Sequence, residues 1–127
     1  MLGIVIGHRG CSRYPENTLK ALDFALRAGA DGVEIDVQST TDGRLVLSHD
    51  ENLKRVASLD VNLRALDFRA VQALKVKGEP IPTLEEALEL VRSYGKVLDV
   101  EVKSPADFRR AGDAISDFGY AGPVSRA

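Results

Sequence analysis

Two histidines are the most informative residues of this sequence. His8 and His49 are the only histidines in the chain, and each follows a short apolar run and stands beside charged residues. Histidine has the side-chain pKa nearest neutrality, so it exchanges protons readily at physiological pH. Between them lie Glu34 and Asp36, carboxylates of the kind that a hard cation or a cationic imidazole needs nearby. Either histidine alone could merely end a strand, but the combination predicts a metal-assisted acid/base site.

Strands would position these side chains. The apolar, β-branched run at residues 2–7 predicts a strand buried on both faces, with His8 at its carboxyl end. Residues 32–37 alternate with period two, so that Glu34 and Asp36 share one face of a second strand. The two carboxylates should therefore point in the same direction.

Two further strands carry additional polar groups. Residues 44–48 predict a strand that runs into His49, after a turn at residues 40–43. This strand could form a hairpin with residues 32–37 or run parallel to them, and either geometry brings the acids towards the histidine. Residues 97–103 alternate in the same way and offer Glu101 as a third carboxylate.

Helices separate the strands. The most helical part of residues 52–77 is 66–74, and we expect the whole of that segment to matter little for the chemistry. A capping box and a proline after serine mark two of the later helix starts. The predicted helices begin at Asn17-Thr18 and end before Gly29, run from Thr83 to Tyr94, and run from Ser104-Pro105 through Phe118, while residues 122–124 begin another element.

The order of strands and helices predicts an α/β fold, either a barrel or an open sheet, because the functional residues stand at strand carboxyl ends. A full (β/α)₈ barrel usually needs roughly 250 residues, about twice the length of this chain. The sequence therefore predicts a single domain over residues 1–127 with about four strands and flanking helices, an incomplete barrel.

Composition excludes several classes of partner. The 127 residues include 17 basic and 19 acidic ones, mixed along the chain, for a net charge of −2. This balance shows neither the clustered basic residues of a nucleic-acid-binding protein nor a polybasic patch that would bind a membrane surface. A small-molecule partner is therefore expected. Cys11 is the single cysteine, which excludes an internal disulfide. The amino terminus has no basic leader and too few apolar residues for export or a membrane span, which predicts a cytoplasmic location.

Seven short motifs follow one another over nearly the whole chain. They are His8-Arg9-Gly10, Pro15-Glu16-Asn17-Thr18, residues 29–37, Asp42-Gly43, Ser48-His49-Asp50, residues 81–86 and Glu101-Val102-Lys103. No single motif is decisive, but the seven together, in this order and spacing, closely resemble the glycerophosphodiester phosphodiesterase family.

The resemblance implies a TIM-type barrel of the phospholipase-C-like phosphodiesterases, here apparently its amino-terminal half. It implies hydrolysis of glycerophosphodiesters to glycerol 3-phosphate and an alcohol, with Ca²⁺ or Mg²⁺. The roles that it implies are acid/base catalysis by His8 and His49, metal ligation by Glu34, Asp36 and Glu101, phosphate binding by Arg9 and Lys103, and orientation of Arg9 or His8 by Glu16.

Several alternatives stay open at this point. The sequence does not decide which histidine is the acid, or whether water or the substrate's own glycerol hydroxyl attacks. A lysophospholipase D-like activity differs only in the alcohol group. The chain could be a fragment, a half-barrel that associates with itself to complete the barrel, or an inactive remnant. A non-catalytic half-barrel that binds a cation, a phosphate ligand or a partner chain is therefore the competing hypothesis.

Some polar residues have a simpler structural interpretation. Arg9 could simply pair with Glu16 or Asp36. Asp50 is expected to cap the turn after His49 rather than bind metal, and Asp99 is expected to pair with Lys96 or Lys103. Cys11 lies near the histidine loop but is expected to be a bystander thiol.

Overall fold

The computed structural model describes residues 6–10 and 13–120, together with the backbone of residues 124–126. Cys11 and residues 2–5 of the predicted first strand lie outside the described residues. The elements are β1 (Ile6–His8), α1 (Leu19–Arg27), β2 (Gly32–Ser39), β3 (Leu45–Leu47), α2 (Lys54–Ala57), a single 3₁₀ turn (Leu63–Ala65), α3 (Phe68–Gln72), β4 (Lys75–Val76), β5 (Glu79–Pro80), α4 (Leu84–Tyr94), β6 (Val97–Val102), α5 (Pro105–Phe118) and β7 (Val124–Arg126).

Four parallel strands form the body of the main sheet, in the order β1, β2, β6, β7. The fifth strand, β3, runs antiparallel to the end of β2, with Val37 opposite Leu47 and Ser39 opposite Leu45. The choice that the sequence left open is thus decided in favour of a hairpin. In the described part of the chain the main sheet has one strand more than the four predicted, because β7 adds a further parallel strand beside β6.

Three amphipathic helices pack against the sheet. α1 and α5 both contact α4, and all three contact β2. Each begins at a side chain that caps its first turn, namely Thr18, Thr83 and Ser104. Thr83 forms the predicted capping box with Glu86. The predicted helix boundaries are therefore confirmed, because capping chemistry marks helix starts at the level of the sequence.

One apolar core joins the helices to the sheet. β2 is buried along its whole length, which is typical of a parallel strand covered on both faces. Val33, Ile35 and Val37 of β2 pack with Leu98 and Val100 of β6 and with apolar residues of α1 and α4. The alternate side chains of β2 are thereby directed to the opposite face, where the polar groups lie. None of the helices in the described part of the chain is long and apolar enough to cross a membrane.

The segment between β3 and α4 has its own small core and is tied to the sheet by charge. Its apolar residues, among them Leu53, Leu63 and Val71, form a second cluster. Arg64 Nη1 lies 2.6 Å from Oδ2 of Asp107, a fully buried carboxylate in the first turn of α5. This ion pair holds the segment against α5, and Arg64 Nη1 also donates to Gln38 Oε1 of β2 at 3.2 Å.

We predict that Asp107→Ala destabilises the protein. Asp107 also pairs with Arg110, and burial of its carboxylate is offset by these two guanidinium groups together with a hydrogen bond from the Ser39 side chain. Removing the partner of a largely buried charge costs about 3 kcal/mol. Urea denaturation should show this loss, whereas Asp113→Ala, which removes an exposed acid from the same helix, should change the free energy of unfolding by less than about 0.5 kcal/mol. Equal midpoints for the two variants would contradict this account of the anchor.

Candidate active site

Three carboxylates meet at the carboxyl ends of two neighbouring strands. Glu34 and Asp36 belong to β2 and Glu101 belongs to β6, where Asp36 and Glu101 are direct partners in the parallel ladder. Partners in a parallel ladder project to the same face. One ligand atom of each residue therefore lies within 4.8 Å of the other two. Glu34 and Asp36 are buried, at 8% and 0% exposure.

Burial of like charges leaves this cluster unsatisfied. Burial and the nearby charge of Asp36 raise the pKa of Glu34 to about 7, and Glu101 adds to the effect. Glu34 Oε2 and Asp36 Oδ1 are both buried without a hydrogen-bond partner. Buried oxygens without donors are costly, and a set made only of carboxylates suits a hard divalent cation. The residues present thus fit such an ion.

Two basic side chains partly balance the acids. Lys103 Nζ lies 2.9 Å from Glu101 Oε1 and 3.5 Å from Asp36 Oδ1. Partial burial tends to lower the pKa of Lys103. The hydrogen bond to Glu101 and the negative charge of Asp36 outweigh this effect, so the pKa of Lys103 is raised. The same hydrogen bond lowers the pKa of Glu101. Arg9 Nε lies 3.5 Å from Asp36 Oδ2 on the other side.

The loop after β1 is held in an unusual backbone conformation at the site. Arg9 and Asn17 have φ values of 55° and 56°, which are costly for residues other than glycine, least so for asparagine. The strain is offset by hydrogen bonds, since Arg9 N donates to Glu34 Oε1 at 3.1 Å and Asn17 N donates to Arg9 O at 2.8 Å. The amide of Asn17 also donates to Asp36 Oδ2 and accepts from Asp36 N, both at 3.1 Å.

The two histidines have different surroundings. The His8 side chain is 70% exposed, and its Nε2 lies 3.5 Å from Glu34 Oε1. His49 Nδ1 lies 2.8 Å from Asp50 Oδ1. The hydrogen bond from His49, together with Arg55, lowers the pKa of Asp50, and an ionised Asp50 can only accept, so Nδ1–H of His49 is the donor of this hydrogen bond. His49 Nε2 is then the nitrogen left to exchange a proton with a ligand.

Asp50 and Asp99 depart from their expected roles. The expectation that Asp50 caps a turn is wrong, because its two carboxylate oxygens bind His49 and Arg55. The expected pairing of Asp99 is also wrong, since within residues 13–120 it contacts neither Lys96 nor Lys103. Asp99 lies opposite Glu34 in the ladder, Oδ1 is buried without a partner, and burial and Glu101 raise its pKa. Lys103 turns instead to the acids at the strand ends.

Glu16 connects the two basic groups at this end of the sheet. Glu16 Oε2 lies 2.8 Å from Arg9 Nη1, and Oε1 contacts Arg55 Nη2. Burial opposes the charge of Glu16, but the hydrogen bonds from Arg9 and Arg55 lower its pKa. A cavity of about 330 Å³ opens beside Glu16 and Arg55, with Tyr14 and Lys77 also in its lining. Neither histidine and none of the three clustered carboxylates lines this cavity, so it lies beside the Glu16–Arg55 pair and not at the carboxylate cluster.

The sequence interpretation missed three residues that contact predicted site residues. The sequence around Asn17 predicts only a helix start, although the residue belongs to the Pro15-Glu16-Asn17-Thr18 motif and its side chain binds Asp36. Asp50 directly follows His49, and this adjacency was the signal for a hydrogen-bonded pair. Arg55 had no such signal, because the short helix that carries it lies in a segment with little regular structure, where spacing does not predict proximity.

Parallel strands with acids and imidazoles at their carboxyl ends are typical of TIM-barrel proteins, whose active sites lie at that face. A family model, "Glycerophosphoryl diester phosphodiesterase family", matches residues 8–111. The chain therefore belongs to the glycerophosphoryl diester phosphodiesterase family.

Relatives of known structure share the fold over nearly the whole chain. A glycerophosphodiester phosphodiesterase from Thermotoga maritima matches with a TM-score of 0.80 and 37% identity over 99% of this chain and 55% of its own. A phosphodiesterase from Oleispira antarctica, solved in complex with the product sn-glycerol-3-phosphate, matches with a TM-score of 0.82 and 31% identity over 98% of this chain and 57% of its own. The predicted fold class, an incomplete TIM-type barrel, is confirmed.

The curated relatives are about twice as long as the matched region. The glycerophosphodiester phosphodiesterase of Caldanaerobacter subterraneus subsp. tengcongensis is 39% identical over 113 residues, which are 82% of this chain and 46% of that protein. The chain thus spans about half the length of the curated relatives that it matches. The assignment of residues 1–127 as a single domain stays a prediction.

We predict that Glu34→Gln changes how stability depends on pH. Between pH 4.5, the ordinary pKa of Glu34, and about 7, the folded protein retains a proton that the unfolded chain releases, so stability from this group falls as pH rises. Without divalent cations, the free energy of unfolding of the variant should therefore increase relative to that of the wild type as the pH rises through this window. The increase should be about 3 kcal/mol at most. Urea unfolding in chelator at a series of pH values measures this difference.

The matched control is Glu89→Gln, which removes an exposed carboxylate from α4. Its stability should run parallel to that of the wild type over the same pH range. Adding excess Ca²⁺ or Mg²⁺ above pH 7 should stabilise the wild type more than Glu34→Gln, because only the wild type offers all three carboxylates. Parallel pH profiles for wild type and Glu34→Gln would show that Glu34 titrates normally.

Proposed function

We propose that the domain formed by this chain hydrolyses glycerophosphodiesters to glycerol 3-phosphate and an alcohol, with the help of a divalent cation. The observation that carries the proposal is the buried carboxylate cluster with two unsatisfied oxygens, next to a histidine, an arginine and a lysine. Membership of the family and the product found in the Oleispira antarctica relative support this substrate class.

Glu34, Asp36 and Glu101 are the groups that would hold the cation. Their oxygens favour Ca²⁺ or Mg²⁺ over Zn²⁺, which prefers nitrogen and sulfur ligands. Bound there, the cation would supply charge that polarises the phosphodiester and lowers the pKa of the attacking hydroxyl. Asn17 keeps Asp36 in place through its two hydrogen bonds.

Arg9 and Lys103 are suited to bind the phosphodiester. The guanidinium of Arg9 can contact two phosphate oxygens at once, whereas Lys103 offers a point charge. Both already lie within 3.5 Å of Asp36, on its two different oxygens. Glu16 orients Arg9 through the 2.8 Å ion pair. The negative phosphodiester would thus be neutralised from two sides, which stabilises the charge that develops during attack.

The histidines would move the protons. One takes the proton of the attacking hydroxyl as its oxygen bonds to phosphorus, and the other gives a proton to the oxygen of the departing alcohol as that bond to phosphorus breaks. Attack by water gives glycerol 3-phosphate directly, whereas attack by the glycerol hydroxyl gives a cyclic phosphate, which a water molecule then opens to glycerol 3-phosphate. Asp50 fixes the tautomer of His49 and stabilises its cationic form. The order of the two roles, and whether water or the glycerol hydroxyl attacks, are open parts of the proposal.

We predict metal-dependent release of glycerol 3-phosphate from glycerophosphocholine that His49→Ala abolishes. Losing one acid/base group lowers the rate about 10²- to 10⁴-fold. An enzyme-coupled assay with Ca²⁺, Mg²⁺ or chelator measures the release, and the mass of the protein in solution is determined on the same sample. Glu89→Gln serves as the control variant. Metal-independent release, or an active His49→Ala variant, would contradict the proposed chemistry.

A second candidate is a half-barrel that binds a cation, a phosphate ligand or a partner chain without turnover. The 70% exposure of the His8 side chain favours it, because a catalytic imidazole is usually shielded from bulk water in the closed site. Folded protein that binds Ca²⁺ in calorimetry but releases no glycerol 3-phosphate would support this candidate.

Other finer expectations stay predictions. Lysophosphatidylcholine in the same assay tests the lysophospholipase D-like alternative. The mass determination tests self-association, which would give a species of twice the chain mass. The cytoplasmic location also stays a prediction.

A further inference from the structure

We propose that Arg55 is a positioning residue that couples His49 to Arg9, so that the proton-transfer and phosphate-binding halves of the site keep one geometry. The proposal rests on the proposed function. Arg55 lies in α2, within residues 52–77, a segment whose sequence predicts little importance for the chemistry.

The contacts form a continuous chain of alternating charges. His49 Nδ1 is 2.8 Å from Asp50 Oδ1, and Arg55 Nε is 2.7 Å from Asp50 Oδ2. Arg55 Nη2 contacts Glu16 Oε1, and the other oxygen of Glu16 is 2.8 Å from Arg9 Nη1. Arg55 is thus the link between two carboxylates that reach it from different loops.

The geometry of this link requires a guanidinium. Two different nitrogens of Arg55 bind two different carboxylates, so its planar fork fixes their separation and their orientation. A lysine at position 55 would keep the charge but has one nitrogen, which cannot hold both partners in the same arrangement. Each carboxylate in turn uses its second oxygen for a predicted site residue.

A role in stability alone does not account for the arrangement. The Arg55 side chain is 53% exposed, and exposed ion pairs contribute little to stability. By contrast, groups that orient a ligand or an imidazole typically change activity or affinity about 10- to 100-fold when they are removed. The structural and positioning roles are therefore separable, because Arg55→Ala should fold normally.

The first experiment measures the tautomer of His49 by nitrogen NMR of the full chain, at a pH where the ring is neutral. With only two histidines, the signals are assigned with His8→Ala. The wild type should hold the Nδ1–H form, and Arg55→Ala should shift the population towards Nε2–H, because Asp50 loses the contact that orients it. Lys54→Ala, which removes an exposed cation from the same short helix, is the matched control and should leave the tautomer unchanged.

The second experiment is a set of variants in the glycerophosphocholine assay. Arg55→Ala should lower kcat/KM about 10- to 100-fold, Arg55→Lys should not restore it, and added guanidinium should restore part of it. The side chains of Glu16 and Asp50 do not contact each other. The effects of Glu16→Gln and Asp50→Asn on kcat/KM should therefore be coupled only through Arg55. Their combined effect should differ from the product of the single effects by about threefold or more in the wild-type background, and should equal that product in Arg55→Ala.

The two experiments separate the possible failures. An unchanged His49 tautomer in Arg55→Ala, or coupling between Glu16 and Asp50 that survives without Arg55, would overturn the positioning role. A wild-type chain that folds but releases no glycerol 3-phosphate would overturn the proposed function, while the NMR measurement would still decide whether Arg55 orients the His49 pair.

Discussion

Mutual repulsion among buried carboxylates is the constraint on which the rest of this structure depends. Glu34 and Asp36 are buried beside Glu101 on one face of the sheet, in an arrangement that a chain selected only for stability would avoid. The surrounding groups serve to make that arrangement tolerable. Arg9 and Lys103 approach from two sides, Asn17 holds one acid through its amide, and a backbone N–H binds another.

The charges extend outwards in alternating sign from this cluster. Behind Arg9 lies Glu16, then Arg55, then Asp50 and finally His49. Arg9, Glu16, Arg55 and Asp50 each contact two side chains of this site, whereas the His49 ring, at the end of the series, contacts Asp50. Such a network specifies geometry more strongly than it adds stability, because exposed pairs contribute little while their directional hydrogen bonds restrict the side chains.

Much of the fold and the centre of the site could be predicted from the sequence. Period-two alternation fixes which face Glu34 and Asp36 share, and capping residues mark where the helices begin, because both signals are local. The contacts of Asp50, and the failure of Asp99 to pair with Lys103, could not be predicted in this way. Lys103 contacts Glu101, two residues before it on the same strand, and Asp36 on the neighbouring strand, so its position depends on how the two strands pair. The position of Arg55 likewise depends on how a segment with little regular structure folds over the site.

The β2–β6 ladder has a consequence for the order of events during folding. These strands are neighbours in space, yet residues 40–96 separate them along the chain. Their pairing therefore closes a long loop, and the entropy lost in closing it is offset only after the strands are in contact. The β2–β3 hairpin and the first helix use short-range contacts and can form earlier. Asp36 therefore gains Glu101 as a neighbour only at a late step, and the acidic centre is assembled after the framework around it. A chain emerging from the ribosome would pass through a stage in which its hairpin is complete and its acidic centre is not.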